Sequence, residues 1–286
     1  MTGVEIILLA SLGPAILLMW YIYKQDKIEK EPMKLLIKLI ILGIISAFCS
    51  MIPEEIMDNV LSITVGEFLG KGVFAVFSAF IGVAVIEEGF KFIFLRIGSW
   101  KNPAFNYKFD AVVYAVFVSL GFAGMENLLY VLSFGLSIAP QRAILSIPGH
   151  MGFAVFMGIY YGKAKLCAVR GDKAGCTKNM WAAFLWPVLF HGIFDACLMY
   201  DSITATLIFL AFVVMFDIIC YKKIKYESAR DELLDPNSAN PFVNYMFTGT
   251  VMRNSNMNMY QQPQQPMYQQ PQQPMYQQPQ QPMYQQ

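Results

Sequence analysis

Seven long apolar segments, separated by short polar loops, occupy most of the first 222 residues. A helix crosses the hydrocarbon core of a bilayer with about 20 mostly apolar residues, and each segment approaches or exceeds that length. The pattern predicts helices over about 4–23, 35–52, 72–95, 111–135, 144–162, 181–199 and 204–221. We therefore expect an all-α, polytopic transmembrane bundle over residues 1–226. Its first helix is expected to be retained, because it lacks a basic start and a small-residue cleavage site.

Most lysine and arginine residues lie in alternate loops, after the first, third, fifth and seventh segments. The 53–71 loop is acidic instead, with Glu54, Glu55, Asp58 and Glu67. Because basic loops stay in the cytoplasm, the pattern predicts an external N-terminus and a cytoplasmic C-terminus. A short amphipathic helix at the outer surface is expected within residues 53–71.

Residues 227–286 differ in character from the rest of the chain. They are polar, and the octamer MYQQPQQP repeats through residues 259–286. Frequent proline prevents regular helix and sheet, and there is no apolar face to bury. We predict a disordered cytoplasmic tail that leans towards polyproline II. The tyrosine in each repeat could allow the tail to bind other proteins.

Composition supports a membrane protein and excludes one class of partner. The chain is 56% hydrophobic and 14% charged, whereas soluble domains are about 25% charged. A net charge of +1 argues against a nucleic-acid partner. Cys167 and Cys176 share one loop without a neighbouring histidine, so we expect free thiols rather than a zinc site there.

Four of the apolar segments carry ionisable side chains that could act together, whereas Lys38 and Asp217 lack partners in their own segments. The side chains that could act together are Glu87, Glu88 and Lys91 in the third, Glu126 beside Asn127 in the fourth, His150 in the fifth, and His191 and Asp195 in the sixth. Each ion placed in hydrocarbon costs about 2.5–3.5 kcal/mol on insertion scales. Several such residues at similar depths therefore indicate a polar site inside the bundle.

The spacing of these residues predicts which of them interact. Lys91 follows Glu87 by four positions and Glu88 by three, which places the three side chains on one helical face. Asp195 follows His191 by four positions, where it can orient the imidazole through a ring N–H.

Carboxylates and imidazoles at one depth suit the activation of a water molecule. A glutamate could act as general base while histidines stabilise an oxyanion, or glutamate and histidine could hold a metal ion. The sequence contains no Gly-rich phosphate loop, GxSxG elbow or HExxH helix. One alternative is a proton-coupled transporter or channel, although no repeat relates the first three helices to the last three. Another is a non-catalytic scaffold that acts through its tail.

The order of these motifs resembles the PrsW family of bacterial intramembrane proteases, which is related to the CAAX prenyl endopeptidases and Abi-type membrane proteases. The motifs are Glu87-Glu88-x-x-Lys91, Phe122-x-x-x-Glu126-Asn127, His150 and His191-x-x-x-Asp195. The likeness covers about residues 1–222, and the charged loop KQDKIEKEP (24–32) is similar to a loop of that family. It implies an endopeptidase in the bacterial plasma membrane that cleaves membrane-anchored proteins such as anti-sigma factors.

The resemblance also implies roles for the polar residues. Glu87 or Glu88 would be the catalytic carboxylate, with Lys91 as its partner. His150 and His191 would be metal ligands or oxyanion stabilisers. The supporting residues would be Glu126, Asn127 and Asp195.

A bound metal would be Zn²⁺, for which Glu88, His150 and His191 are the candidate ligands. Related proteases carry histidine where this chain has Glu126, so the sequence leaves open whether His150 takes over that role. Metal dependence and the choice between the two adjacent glutamates stay open as well.

Overall fold

The structure is a computed structural model that describes residues 2–66, 70–200 and 202–235. Its α-helices are α1 (Gly3–Gln25), α2 (Met33–Leu61), α3 (Lys71–Phe77), α4 (Val85–Ser99), α5 (Asp110–Phe134), α6 (Ala139–Ile144), α7 (Ser146–Val169), α8 (Lys173–Met199) and α9 (Ile203–Ala229). A π-helical turn (Ser62–Gly66) extends α2, another (Ser78–Ala84) joins α3 to α4, and a 3-10 turn (Leu136–Ile138) precedes α6. Glu67 and the repeats of residues 259–286 lie outside the described residues.

Within these ranges the fold is helical, without a β-strand, and seven helical stretches are long and apolar enough to cross a membrane. The predicted all-α, seven-helix bundle is therefore confirmed. Many apolar side chains point outwards, including Trp20 at 61% and Ile203 at 82% exposure. Such exposure suits a surface in contact with lipid. All five cysteines lie within the described residues and are free thiols.

Helix α5 is the centre of the bundle and packs against α1, α2 and α7. Of its most apolar stretch 78% is buried, compared with 22% for α1. Two glycines let α2 and α5 cross closely, because a Cβ at Gly43 would overlap the carbonyl of Val118, and one at Gly121 the carbonyl of Ile40. The crossing holds the middle of α5 firmly in place.

The predicted outer loop is largely helical. Helix α2 continues past Pro53 to Leu61, and the π-helical turn carries the chain to residue 66. A helix satisfies its own backbone hydrogen bonds, so it can extend beyond the apolar stretch while Glu55 and Asp58 remain exposed. The expected amphipathic helix is thus the end of α2 rather than a separate element.

The last helix continues to Ala229, beyond the end predicted at residue 221. The segment after it packs on the bundle: Leu234 is buried, and its N–H donates to the carbonyl of Asn106 at 2.8 Å. The N–H of Lys108 donates in turn to the carbonyl of Glu232 at 3.0 Å. The folded part of the chain therefore includes residues predicted to begin the tail. Pattern alone missed this segment because its contacts are with a loop distant in sequence.

Candidate active site

Three helices bring four of the predicted polar residues together. Helix α4 carries Glu87 and Glu88, α7 carries His150, and α8 carries His191. All four are buried, and each offers one potential ligand atom within 4.8 Å of those of the others. The predicted polar site inside the bundle therefore exists as a single cluster.

Lys91 lies in the middle of this cluster and is fully buried. Its Nζ is 3.0 Å from Glu87 Oε2 and 2.9 Å from Glu88 Oε1, so the predicted pairing on one face is confirmed. The ammonium also lies 3.8 Å from the ring centre of Phe122, in a cation–π contact. One lysine neutralises the charge of only one carboxylate. The pair therefore retains negative charge that can bind a proton or a metal ion.

His191 is held by a carboxylate at each ring nitrogen. Its Nδ1 is 2.9 Å from Glu88 Oε1, and its Nε2 is 3.2 Å from Asp195 Oδ2. Asp195 does contact the imidazole as predicted, and Glu88 adds a second contact that the sequence did not suggest. Phe153 stacks on the ring at a centroid distance of 4.9 Å. The imidazole is thus fixed in both position and orientation.

The hydrogen bonds of His150 define its tautomer. Lys91 Nζ lies 3.2 Å from His150 Nδ1, and Glu126 Oε2 lies 3.0 Å from His150 Nε2. An ammonium can only donate, so Nδ1 accepts and the ring proton resides on Nε2, which donates to Glu126. Glu126 therefore acts through His150 in this arrangement, rather than belonging to the four-residue cluster.

Arg142 of α6 is a site residue that the sequence analysis missed. Its guanidinium lies 2.9 Å from Glu126 Oε2, and its Nε donates to Asn127 Oδ1 at 3.0 Å. Asn127 is turned away from the cluster, because its Nδ2 donates to the carbonyl of Ser11 on α1 at 2.8 Å. It supports the site through Arg142. The signal that could have revealed Arg142 is a lone arginine in a loop predicted to be external.

A cavity of about 600 Å³ opens beside the cluster. The ionisable residues that line it are Glu54, Glu87, Glu126, Arg142, His150, His191 and Asp195. Glu54 comes from the unexpected extension of α2. Glu88 and Lys91 do not line the cavity and lie behind it. The two adjacent glutamates are therefore distinguished by access: only Glu87 faces the space that a substrate could enter.

Buried carboxylates and imidazoles that open on a cavity within an apolar helical bundle are suited to activating water, as in the class of membrane-embedded hydrolases. The sequence model of the PrsW family intramembrane metalloproteases matches residues 31–220, and the chain belongs to this family. It is therefore a multi-pass membrane protein and an intramembrane protease. The predicted protease function is confirmed, which favours it over the transporter and scaffold alternatives.

Three relatives illustrate the similarity, and each is called Protease PrsW. That of Oceanobacillus iheyensis is 36% identical over 219 residues, which cover 77% of this chain and 94% of the relative. That of Bacillus subtilis is 33% identical over 189 residues, which cover 66% of this chain and 81% of the relative. That of Clostridioides difficile is 32% identical over 211 residues, which cover 72% of this chain and 85% of the relative. No solved structure matches the chain.

The cluster fits the metal that the family description implies. Two imidazoles and two carboxylates form a nitrogen and oxygen donor set, and Oε2 of Glu88 is buried without a hydrogen-bond partner. Such an oxygen costs free energy unless it gains a proton or a cation. Glu87 belongs to the same group as the candidate ligands predicted from the sequence, which were Glu88, His150 and His191.

Proposed function

We propose that this protease cleaves its substrate in the cavity and that Glu87 is the group that activates water. The observation that carries the proposal is the difference in access between the two adjacent glutamates. Glu87 lines the cavity, whereas Glu88 is fully buried and bonded to Lys91 and His191. A general base must reach the water from which it takes a proton. Glu87 meets this requirement and Glu88 positions its neighbours.

The remaining residues have distinct tasks in this proposal. Lys91 holds Glu87 in place and limits the cost of burying its charge. The imidazole of His191 faces the cavity between Glu88 and Asp195, where it can stabilise negative charge that develops on the peptide oxygen. His150 donates from Nε2 to Glu126, and Arg142 pairs with Glu126. These three residues line the cavity, and their contacts hold one another in position.

For the metal we propose Zn²⁺, which prefers histidine nitrogen and carboxylate oxygen. Glu88, His150 and His191 would hold it, and Glu87 would remain free as the base. When bound, the ion supplies Lewis acidity that polarises a peptide carbonyl and makes water more acidic. Binding requires a free ring nitrogen on each imidazole. Either Lys91 or Glu126 must then release His150, and either Glu88 or Asp195 must release His191.

We propose as substrate class the membrane-anchored proteins, with anti-sigma factors as the example that the family resemblance suggests. The cavity lies among helices apolar enough to cross a membrane, so a substrate segment in the bilayer could reach it. Alternating basic loops support an external N-terminus and a cytoplasmic C-terminus in the bacterial plasma membrane. The polar tail beyond residue 235 would then face the cytoplasm, available to protein partners.

The test uses the purified full-length protein in lipid nanodiscs and a peptide with one transmembrane segment. Mass spectrometry of the products measures cleavage by the wild type and by Glu87→Gln, with Glu55→Gln on the exposed end of α2 as the matched control. We expect loss of cleavage in the first variant and normal rates in the control. Cleavage that survives Glu87→Gln, Glu88→Gln and His191→Ala combined would refute the proposed site.

Metal analysis of the purified protein tests the proposed zinc. Zinc that copurifies with wild type and is lost in His150→Ala would support the metal. An enzyme that is active without metal would exclude it.

A further inference from the structure

A second group of carboxylates, two buried and one half-buried, lies far from the cluster around Lys91. Asp26 follows α1, Asp110 begins α5, and Asp231 follows α9. One carboxylate oxygen from each lies within 4.8 Å of the others. Asp110 precedes Glu126 by 16 positions on α5, about 24 Å along a helix axis. The group is therefore separate from the active site.

Main-chain hydrogen bonds fix the orientation of two of these carboxylates. Asp110 Oδ2 accepts from the N–H groups of Asn106 and Tyr107, at 3.0 and 2.7 Å. Asp231 Oδ1 accepts from the N–H of Phe109 at 2.8 Å. One oxygen of each side chain is thus used to shape the loop before α5. The other oxygen of each is available to a ligand.

Three buried oxygens in this group lack a hydrogen bond of good geometry, namely Oδ1 of Asp110 and both carboxylate oxygens of Asp26, and Glu31 is the polar neighbour of both residues. Asp26 and Asp110 are each only 1% exposed. The nearest cation does not satisfy them, because the ammonium of Lys30 donates to the main-chain carbonyl of Asp26. A buried acceptor without a partner costs about 1–3 kcal/mol, and more when it is charged. These oxygens face the other carboxylates of the group, so a cationic ligand would satisfy them.

The neighbouring acid increases the negative potential. Glu31 is 4% exposed and accepts from the hydroxyl of Tyr114 at 2.5 Å. Burial raises the pKa of Asp26 to about 6, an effect that Lys30 partly offsets, and burial raises the pKa of Glu31 to about 7. Both acids therefore ionise less readily than they would in water, and a nearby cation would favour their charged forms.

We propose that Asp26, Asp110 and Asp231 bind a hard divalent cation, Mg²⁺ or Ca²⁺, which joins the ends of α1 and α9 to the start of α5. Such ions prefer oxygen ligands, and a set of carboxylates without nitrogen or sulfur does not favour zinc. Calcium–oxygen distances of about 2.3–2.6 Å allow two ligands of one ion to be up to about 5 Å apart. The 4.8 Å limit within the group fits this requirement.

The proposal does not depend on the proteolytic mechanism. The ion would connect three segments that are distant in sequence and would fix the segment after α9 against the bundle. Its role would be structural, and stability rather than cleavage is the property to measure. The competing explanation is that shared protons alone neutralise the group.

The test measures thermal unfolding of the purified full-length protein after EDTA treatment and dialysis, titrated separately with MgCl₂ and CaCl₂. We expect a saturable rise in Tm with at least one ion, on the order of 5 °C at a hundred times its Kd. Asp26→Asn and Asp231→Asn should each abolish the rise. The Asn at position 231 keeps an oxygen that can accept from Phe109, so this variant should fold even if the other does not. Asp58→Asn, on the exposed end of α2, should retain the rise.

The active site must be excluded as the source of any effect. His150→Ala/His191→Ala removes both imidazoles of the proteolytic cluster and should leave the Tm rise intact. Loss of the rise in that variant would assign the ion to the active site and overturn the proposal. The absence of a saturable rise with either ion would overturn it too, in favour of neutralisation by protons. Half-saturation concentrations then distinguish Mg²⁺ from Ca²⁺.

Discussion

Glu87 and Glu88 are adjacent on α4, yet Glu87 opens on the cavity and Glu88 is enclosed behind it. Successive residues on a helix are about 100° apart around its axis, so two neighbours can face different surroundings. Lys91 lies between their carboxylates and contacts both. The two glutamates are therefore not interchangeable, although each has the same chemical group and the same charged partner.

The first prediction follows from this difference. Glu87→Gln should lower kcat by about 10²–10⁴-fold, the usual contribution of general acid–base catalysis, with little change in Tm. Glu88→Gln should lower Tm more than Glu87→Gln, because Glu88 bonds to both Lys91 and His191 in a fully buried place. Peptide cleavage and thermal unfolding of both variants check this. Equal effects of the two changes on both measurements would contradict the assignment.

Lys91 should be essential for stability. Lys91→Met leaves two carboxylates buried without their cation, and breaking a buried ion pair costs about 3–5 kcal/mol. We expect a large decrease in Tm together with loss of cleavage. Lys101→Met changes an exposed lysine in the next loop and should leave both properties near the wild-type values. A fully stable Lys91→Met protein would show that the cluster does not need the ammonium.

Arg142 should act as a positioning residue. Arg142→Ala removes the guanidinium that pairs with Glu126, so the contact of Glu126 with His150 is less well fixed. Loss of such an orienting partner typically lowers metal affinity or activity by about 10–100-fold. We expect the decrease in kcat rather than in KM, with partial recovery in Arg142→Lys. Arg170→Ala, at an exposed position after α7, is the control; a change confined to KM would instead indicate direct substrate binding.

The crossing of α2 and α5 gives a prediction about packing alone. Gly43→Ala would overlap the carbonyl of Val118 and should destabilise the fold by about 1–3 kcal/mol, as overpacking usually does. Gly13→Ala is the matched control on α1, where a Cβ would meet only Leu9 Cδ1 at an ordinary 3.7 Å. That variant should be neutral or slightly more stable. Thermal unfolding of both proteins makes the comparison.

The second acidic group predicts how stability varies with pH. Burial raises the pKa of Asp26 to about 6, while an aspartate in an unfolded chain titrates near about 3.9. The folded state therefore binds this proton more tightly. The resulting stability is fully present below about pH 4 and is lost as pH rises through about 6. Glu31, whose pKa burial raises to about 7, contributes in the same direction.

In EDTA, Tm should therefore decline between about pH 4 and 7, and Asp26→Asn should make this decline shallower. Lys30 and Asp231 also face the group and remain in that variant, so some dependence should persist. Addition of the proposed cation should restore Tm most at the upper end of the range. A pH profile that is identical in wild type and Asp26→Asn would contradict the assigned role of this carboxylate.

The sequence by itself determined the helices and which residues form the buried cluster around Lys91. Long apolar segments have few alternatives to membrane-spanning helices, because lipid offers no partner for backbone N–H and C=O groups. Charged or ionisable residues within such segments are costly. Glu87, Lys91, His150 and His191 could therefore be recognised as candidate site residues without knowledge of how the helices pack. The pairs within a single helix followed from its period, and the structure confirmed them.

The tertiary structure decided everything that depends on how each helix is rotated and which helices are neighbours. It distinguished Glu87 from Glu88, brought Arg142 to Glu126, and turned Asn127 towards α1. It also gathered Asp26, Asp110 and Asp231, which belong to three distant segments whose loops look ordinary in sequence. Packing of side chains across helices sets these relationships, and such packing has no period along the chain. The sequence could thus predict which residues form the cluster, but not which contacts each residue makes or which of them reaches the cavity.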